Sequence, residues 1–161
     1  MAAGVSFAGE GVEMKARDLC HAYPEFPSSA RADDLADVLR RQDVRAVLVL
    51  SPAGELMGVV SDSSLLRRLL PSYVDEDESL AGVVGEDAST LMQSRLGGLI
   101  AADLVLGEQE ERPVVDADDT LIEVASVMVR SRSPAVGVVD RGRLLGGIGI
   151  EDLLRRLLGT A

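Results

Sequence analysis

No tryptophan occurs in this chain, and its aromatic side chains are limited to Phe7, Tyr23, Phe26 and Tyr73. Any core must therefore be assembled from Leu, Val, Ile and Ala, with few large rings to fill it. The single cysteine, Cys20, excludes an intrachain disulfide and gives no sign of an oxidising compartment. The single histidine, His21, stands beside it near the N-terminal end. One Cys and one His cannot supply a metal set of the usual spacing, and no Ser-His-Asp array exists beyond His21 itself. As a nucleophile and base the two are poorly matched, because sequence neighbours rarely have that geometry, so they read as local structure. No apolar run approaches the roughly 18 residues of a membrane span. The opening stretch MAAGVSFAGEGVEMKARDL lacks the basic start and long apolar centre of a signal peptide. Basic residues are outnumbered, 16 Lys and Arg against 27 Asp and Glu, for a formal charge of -11. That balance argues against nucleic acid, whose phosphates need a basic stripe, and against an anionic membrane surface. The expectation is a soluble cytoplasmic protein with neither nucleic acid nor membrane as its main partner.

What the chain has in quantity is an aliphatic repeat. Apolar residues make up 47% of it, which excludes wholesale disorder. Its 161 residues suffice for one domain or two small ones with a proper core. GVVSDSSLLRRLL, residues 58–70, returns as GGIGIEDLLRRLL, residues 146–158, 88 positions later. Other segments recur in the same order: MKARDLC (14–20) with LIAADLV (99–105), ARADDLADVL (30–39) with VDADDTLIEVA (115–125), and AVLVLSPAGELMGVV (46–60) with AVGVVDRGRLLGGIG (135–149). A duplicated unit of about 60 residues follows.

Each unit reads as β-α-β-β-α. Asp33 and Asp34 precede a helical stripe of Leu35, Val38 and Leu39; Asp118 and Asp119 precede Leu121, Val124, Ala125 and Met128. These acidic pairs read as capping signals rather than acid/base carboxylates, since they recur in both units. Short β-branched runs follow at 47–50 and 136–139, then turns (SPAG and DRG), then runs at 56–60 and 144–148, which makes two hairpins. Val114 and Val115 offer a further strand before the second unit's first helix. The closing LLRRLL helix has an apolar face about 140° wide, more than one small sheet covers. The units are therefore expected to pair about a pseudo-two-fold axis, and apolar helix surface left over predicts a homodimer. The fold class is α/β (α+β): tandem β-α-β-β-α repeats with a short helical insert. The boundaries are a tail at 1–13, repeat one at 14–71, an acidic insert at 72–98 and repeat two at 99–161. In the insert, residues 75–78 are four consecutive acids; Leu80, Val83 and Val84, then Leu91, Met92 and Leu96, have helical spacing, stopped by Gly97 and Gly98. A solvated acidic linker is the other reading of that segment.

Both halves resemble CBS (cystathionine-β-synthase) domains, and the tandem resembles a Bateman module. DADDTLIEVASVM, SPAVGVVDRGRLLGGI and Asp152 in repeat two, with ADDLADVL and AVLVLSPAGELMGVVS in repeat one, follow the family order: strand, capped helix, PVVD-x-x-G-x-L-x-G hairpin, then T/S-x-x-D opening the last helix. The resemblance spans nearly the whole chain from Met14, with residues 1–13 and the insert outside it. It implies a regulatory sensor rather than an enzyme. Such a sensor binds an adenosine compound in clefts between the repeats and, standing alone, acts on a separate partner protein. The family's hydroxyl residue sits at the helix N-terminus, where amides favour phosphate. Its Asp accepts from the ribose hydroxyls, and strand side chains hold the adenine. Here the signature is split. Ser61 stands in the hydroxyl position with Ser64 in the Asp position; Gly149 stands in the hydroxyl position with Asp152 intact. The resemblance thus nominates Asp152 for ribose recognition and the Gly149 amide for phosphate, with Ile150, Pro134, Ser61, Ser64, Arg45 and Arg132 completing the candidate ligand set. No cofactor is required; AMP, ADP, ATP, S-adenosylmethionine or a dinucleotide are the implied ligands, and these residues do not choose between them.

Plainer roles stand beside these. Ser61 is a favoured N-cap without any ligand, and Glu151 and Asp152 suit a first helical turn. Arg40, Arg41 and Arg45 precede one strand, Arg130 and Arg132 its equivalent. Either they line the clefts, where a monophosphate or neutral adenosine compound suits this acidic protein better than a polyphosphate, or they face solvent. GGIGI lacks the Lys-Ser/Thr of a P-loop, so Gly146 and Gly147 read as close packing. Two functions stay open: a ligand sensor, or a ligand-free structural, dimerisation or protein-interaction module with degenerate sites. No constellation for turnover is present in the sequence.

Overall fold

The computed structural model describes residues 13–41, 44–70, 88–105 and 111–159. Its elements in chain order are α1 (Ala16–Leu19), β1 (Glu25–Pro27), α2 (Ala32–Arg41), β2 (Ala46–Leu50), β3 (Leu56–Ser61), α3 (Asp62–Leu69), α4 (Ala88–Gly97), α5 (Ala101–Val105), β4 (Val114–Asp116), α6 (Leu121–Ser131), β5 (Ala135–Asp140), β6 (Arg143–Gly149) and α7 (Ile150–Leu158). The acidic run at 75–78 and Leu80, Val83 and Val84 lie outside the described residues.

Two three-stranded sheets carry the fold, ordered β1-β2-β3 and β4-β5-β6. In each, the first strand runs parallel to the second and the second antiparallel to the third. Both central strands are enclosed on both faces: Ala46, Val47, Leu48 and Val49 in β2, and Ala135, Val136 and Val138 in β5. That double burial is why these runs are continuously apolar rather than alternating. The same ladder irregularity falls at Val49/Leu50 and at Val138/Val139, so the duplication reaches the backbone. The hairpin turns differ. Arg141 and Gly142 turn β5 into β6 with φ of 51° and 78°, the primed geometry that matches strand twist; residues 51–55 make the longer turn in repeat one.

Helix α4 takes up Leu91, Met92 and Leu96 and ends at Gly97. Met92 and Leu96 pack against the first core, and Arg95 Nη1 donates to the Leu70 carbonyl at 3.0 Å. The capping is displaced from the acidic pairs. In α2, Asp33 and Asp34 fall inside the first turn. In α6 the N-cap is Thr120, whose Oγ1 accepts the Glu123 N–H while Glu123 accepts the Thr120 N–H at 2.7 Å. Asp119 instead accepts the Asp116 N–H at 2.8 Å, and Asp118 pairs with Arg17 at 2.9 Å.

That last pair belongs to an exchange of short helices. α1 precedes the first sheet, yet Ala16 is buried in the second core with Val115, Val124, Met128, Val136 and Ile148. Its amides confirm the placement: Ala16 N–H donates to the Asp119 carbonyl at 2.8 Å and Arg17 N–H to Ala117 at 2.9 Å. Reciprocally, α5 precedes the second sheet, but Ala101 and Leu104 are buried in the first core with Leu35, Val47, Val49 and Val60. Ala101 N–H donates to Ala30 at 2.8 Å. A third cluster, of Tyr23, Ala46, Leu48, Leu56, Val59 and Ala135, joins the sheets along a seam between the repeats. The pair is thus held by a shared seam and by two exchanged helices.

The closing helices remain partly bare. Leu65 and Leu69 of α3 and Leu153 of α7 are buried, but Leu66 is 55% exposed, Leu154 47% and Leu158 74%. Neighbouring α6 also leaves Ile122 and Val129 in solvent.

Candidate functional site

The two closing helices begin at equivalent places, and in both the third helical residue accepts the N-cap amide. Ser61, 6% exposed, accepts the Ser64 N–H on its Oγ at 3.1 Å. Ser64 returns the bond: its Oγ accepts the Ser61 N–H at 2.8 Å and donates to the Ser61 carbonyl at 3.0 Å. On α7, Asp152 fills the Ser64 position and accepts the Gly149 N–H at 2.9 Å. The serine-for-aspartate difference between the repeats is therefore, first, a difference of cap. The first amide of each helix is anchored the same way, Asp62 N–H on the Arg45 carbonyl at 3.0 Å and Ile150 N–H on the Pro134 carbonyl at 2.8 Å.

Around the Ser61 end the two repeats enclose a cavity of about 160 Å³. α3 supplies Ser63, Ser64 and Arg67, α5 supplies Leu104 and Val105, and the segment leaving α6 supplies Arg130, Ser131, Arg132, Ser133 and Pro134. Every charged residue of this lining is an arginine. Arg130 is held in a two-toothed pair by Glu111, at 2.8 and 3.0 Å, and also donates to Ser126. That pairing raises the Arg130 pKa and holds Glu111 below the usual carboxylate range. Among the described residues no ion pair engages Arg67 or Arg132. Arg132 sits at the end of α6 in the left-handed region, φ 51°, where a β-carbon is disfavoured. Ser131 and Ser133 donate to the Val127 and Ala135 carbonyls at 2.7 and 2.6 Å, which fixes the segment that carries Arg132. A helix N-terminus, hydroxyls and unpaired guanidinium groups in one recess suit a phosphate.

The second closing helix is arranged otherwise. Asp152 Oδ2, besides its cap bond, lies 2.7 Å from His21 Nε2, and Oδ1 is 3.7 Å from Arg155. Glu151 folds back so that its carboxylate stands where a β-carbon on Gly149 would reach. Residues 20–23 lie flat on β6: His21 and Gly147 exchange backbone bonds of 3.1 and 3.0 Å. A β-carbon at Gly146 would strike the His21 carbonyl, and one at Gly147 would lie 2.9 Å from Tyr23 Cγ. Glycine is what allows this approach. The hydrogen bond to Asp152 raises the His21 pKa. Burial, then Glu151 and Asp152, push the Tyr23 phenol up to about 12.

The structure thus divides the eight candidate residues. Ser61, Ser64, Arg132 and Pro134 line one cavity. Gly149, Ile150 and Asp152 stand at the other helix, with Asp152 held by His21. Arg45 is exposed at the entry to β2, Arg40 pairs with Asp37 at 3.1 Å, and Arg41 is exposed, so none of these three lines the cavity. Sequence reasoning missed Arg67, although its spacing one turn beyond Ser63 was a usable signal. It also set aside His21, which meets Asp152 across 131 positions of chain with no local signature. Among the described residues no group of three or more His, Cys, Asp or Glu is placed to hold a metal ion, and no helix is long and apolar enough to cross a membrane.

These features define a class: a tandem βαββα pair with a recess between its repeats at the N-terminus of the first closing helix. The chain belongs to the CBS domain family, whose family model matches residues 16–71 and 106–159. Among solved structures it is similar to a CBS domain-containing protein of unknown function from Kribbella flavida, at 30% identity over 90% of this chain and 99% of that one, with a TM-score of 0.73. It is also similar to the CBS-pair protein CBSX2 from Arabidopsis thaliana, at 20% identity over 92% and 96% of the two chains, TM-score 0.69. A structure of CBSX2 in complex with AMP matches at 21% identity over 90% and 96%, TM-score 0.61. No curated protein matches the chain.

Proposed function

We propose that this CBS pair is a regulatory module that takes the phosphate end of an adenosine nucleotide into the Ser61 cleft and transmits its occupancy to a separate partner protein. The carrying observation is the convergence of Arg67 and Arg132, with no carboxylate in the lining, on the N-terminus of α3; Arg130 beside them is already offset by Glu111. In a chain of net charge -11, an anion needs such a local basic recess to bind. The recess, about 160 Å³, is small beside ligand pockets of roughly 300–1,000 Å³. It suits a phosphate group, with the nucleoside toward the mouth. The AMP complex of CBSX2 supports the ligand class. Calorimetric titration of AMP, ADP, ATP, NADH and S-adenosylmethionine tests this reading. The phosphate-bearing ligands should bind and cationic S-adenosylmethionine should not. Arg132→Ala should weaken binding about tenfold or more, since a hydrogen bond to a charged group contributes about 1.5–3 kcal/mol. Binding of S-adenosylmethionine alone, or full affinity in the variant, would sink it.

A second reading rests on the bare helix faces. Ile122 and Val129 of α6 with Leu154 and Leu158 of α7 leave apolar surface that suits a second copy of the chain, as a dimerisation or interaction module needing no ligand. Light scattering should then give a dimer that Leu154→Glu dissociates; a monomeric wild type rejects this part.

A further inference from the structure

β3 runs from its hairpin turn at Leu56 to the cleft at Ser61, so the two ends of the strand lie roughly 16 Å apart. At the Leu56 end the hairpin turns of both repeats line an open groove of about 460 Å³, within the range of roughly 300–1,000 Å³ for small-ligand sites. Leu50 and Leu144 give it an apolar floor, and both pack on the seam cluster that holds Leu48 and Leu56. Its charged lining comes in two signs, one from each repeat: Glu25 and Glu55 from the first, Arg141 and Arg143 from the second. We propose that this groove binds a zwitterion of about dipeptide size, whose carboxylate is taken by the two arginines and whose ammonium is taken by the two glutamates. The inference is independent of the nucleotide reading, since the groove and the Ser61 cleft share no lining residue.

The duplication itself produces this arrangement. Glu55 and Arg143 are equivalent: each stands between a turn glycine of positive φ (Gly54, 81°; Gly142, 78°) and the leucine that re-enters the ladder, Leu56 opposite Leu50 and Leu144 opposite Val139. One turn position therefore carries opposite charges in the two copies. Opposite charges in one groove would ordinarily pair, yet none of these four side chains forms an ion pair or hydrogen bond with a described residue. The turns are fixed where they stand. Ser51 N–H donates to the Glu55 carbonyl at 2.7 Å, Glu55 N–H donates to Ser51 Oγ at 3.2 Å, and Arg112 Nη2 donates to the Leu56 carbonyl at 3.1 Å. Across the groove, Arg141 and Gly142 form the tight primed turn. The lining sums to no net charge, which disfavours a simple anion or cation, because either meets like charges as well as opposite ones. A molecule charged at both ends meets each group with its complement. Guanidinium forks match a carboxylate in shape, glutamate oxygens accept the N–H groups of an ammonium, and the leucine floor covers an apolar middle. Because the two signs belong to different repeats, a bound zwitterion braces the seam between them.

Leucyl-leucine is the probe, with its N-acetyl derivative (an anion) and its C-terminal amide (a cation) as controls of similar size. In a methyl NMR titration of the whole chain, the free dipeptide should shift the Leu50 and Leu144 signals with a dissociation constant in the millimolar range, as suits exposed charge pairs, and both controls should bind about fivefold or more weakly. Arg143→Glu should weaken the dipeptide by a similar factor and admit the cationic amide; Glu55→Arg should weaken it likewise and admit the N-acetyl anion. Both positions are exposed, and an AMP affinity equal to that of the wild type in each variant separates a local effect from loss of the fold. Equal binding of all three peptides would leave the apolar floor as the sole attraction and overturn the proposal. So would an affinity that neither charge reversal changes, or signals that stay unmoved at tens of millimolar dipeptide.

Discussion

Leu56 is one of the side chains that lock one repeat onto the other. It is 5% exposed, it belongs to β3, and its tip rests over Gly137 of β5. A methyl added at Gly137 would land on Leu56 Cδ2, 3.4 Å from Leu56 Cγ and 3.3 Å from Leu144 Cδ1. The obstacle is the end of a side chain, so Leu56 must leave its rotamer while the strands keep their spacing. Overpacking of that kind costs about 1–3 kcal/mol. Leu56→Ala by itself costs about 2–5 kcal/mol, the transfer loss plus a cavity. In the double variant the methyl at 137 enters the space that Leu56 vacates. Its loss should therefore be about 1–2 kcal/mol smaller than the sum of the single losses, a coupling typical of residues in contact. Urea unfolding followed by far-ultraviolet circular dichroism measures the four free energies, tryptophan fluorescence being excluded by composition. Losses that add to within about 0.5 kcal/mol would refute an interlocked seam at this point.

The exchanged helices make the repeats interdependent: residues 14–71 expressed alone lack Ala101 and Leu104 from their core and should show no cooperative unfolding, whereas adding the complementary half should restore it. A cooperative transition in the isolated half would rule that out. The pH dependence has two limbs of known sign. The raised His21 pKa contributes stability that is complete below the unfolded value near 6.5 and is lost as pH rises through the folded value; for a half-exposed ring this is under about 1 kcal/mol. The Tyr23 phenol, ionising near 10 when unfolded and about 12 when folded, should remove about 2 kcal/mol between those values. Phenolate absorbance against pH, measured alongside stability, would contradict this if both tyrosines titrated together near 10.

The duplicated architecture was legible because it is written as local pattern. Continuous apolar runs at 46–50 and 135–139, turn residues between paired runs and a helical stripe behind polar residues each report on a few neighbouring positions. The recurrence of MKARDLC as LIAADLV was visible too, but its consequence was not. Whether a four- or five-residue helix packs on its own sheet or on its partner's depends on tertiary contacts such as Ala16 with Ile148 and Ala101 with Val60, which no local pattern encodes. The acidic pairs were misplaced by a residue or two, the usual uncertainty of a helix start: Thr120, not Asp118 or Asp119, has the extended backbone of a cap. The split signature at Ser61, Ser64, Gly149 and Asp152 could be read residue by residue. Arg132 was named with it, but Arg67 was not, because it meets Arg132 only across the two repeats.

The starts of the two closing helices share an architecture and differ in sign, and the difference traces to a few positions. At the start of α3 the chain places Ser61, Ser63 and Ser64; at the start of α7 it places Gly149, Glu151 and Asp152. Arg67 and Arg155 follow at the same distance from both. With hydroxyls beside it and no carboxylate partner among the described residues, Arg67 leaves its positive charge to the recess. With Glu151 and Asp152 beside it, Arg155 is offset, and the surplus negative charge draws in the only imidazole the chain has. The start of α3 should therefore favour an anion and the start of α7 disfavour one at equal net charge of the whole protein, since local charges act at a few ångströms and the rest are screened within about 8 Å of water. Exchanging Glu151 and Asp152 for serines should therefore give the start of α7 a phosphate affinity of its own once His21 is also removed. If that triple variant binds no additional AMP, the asymmetry lies in the backbone and not in these side chains.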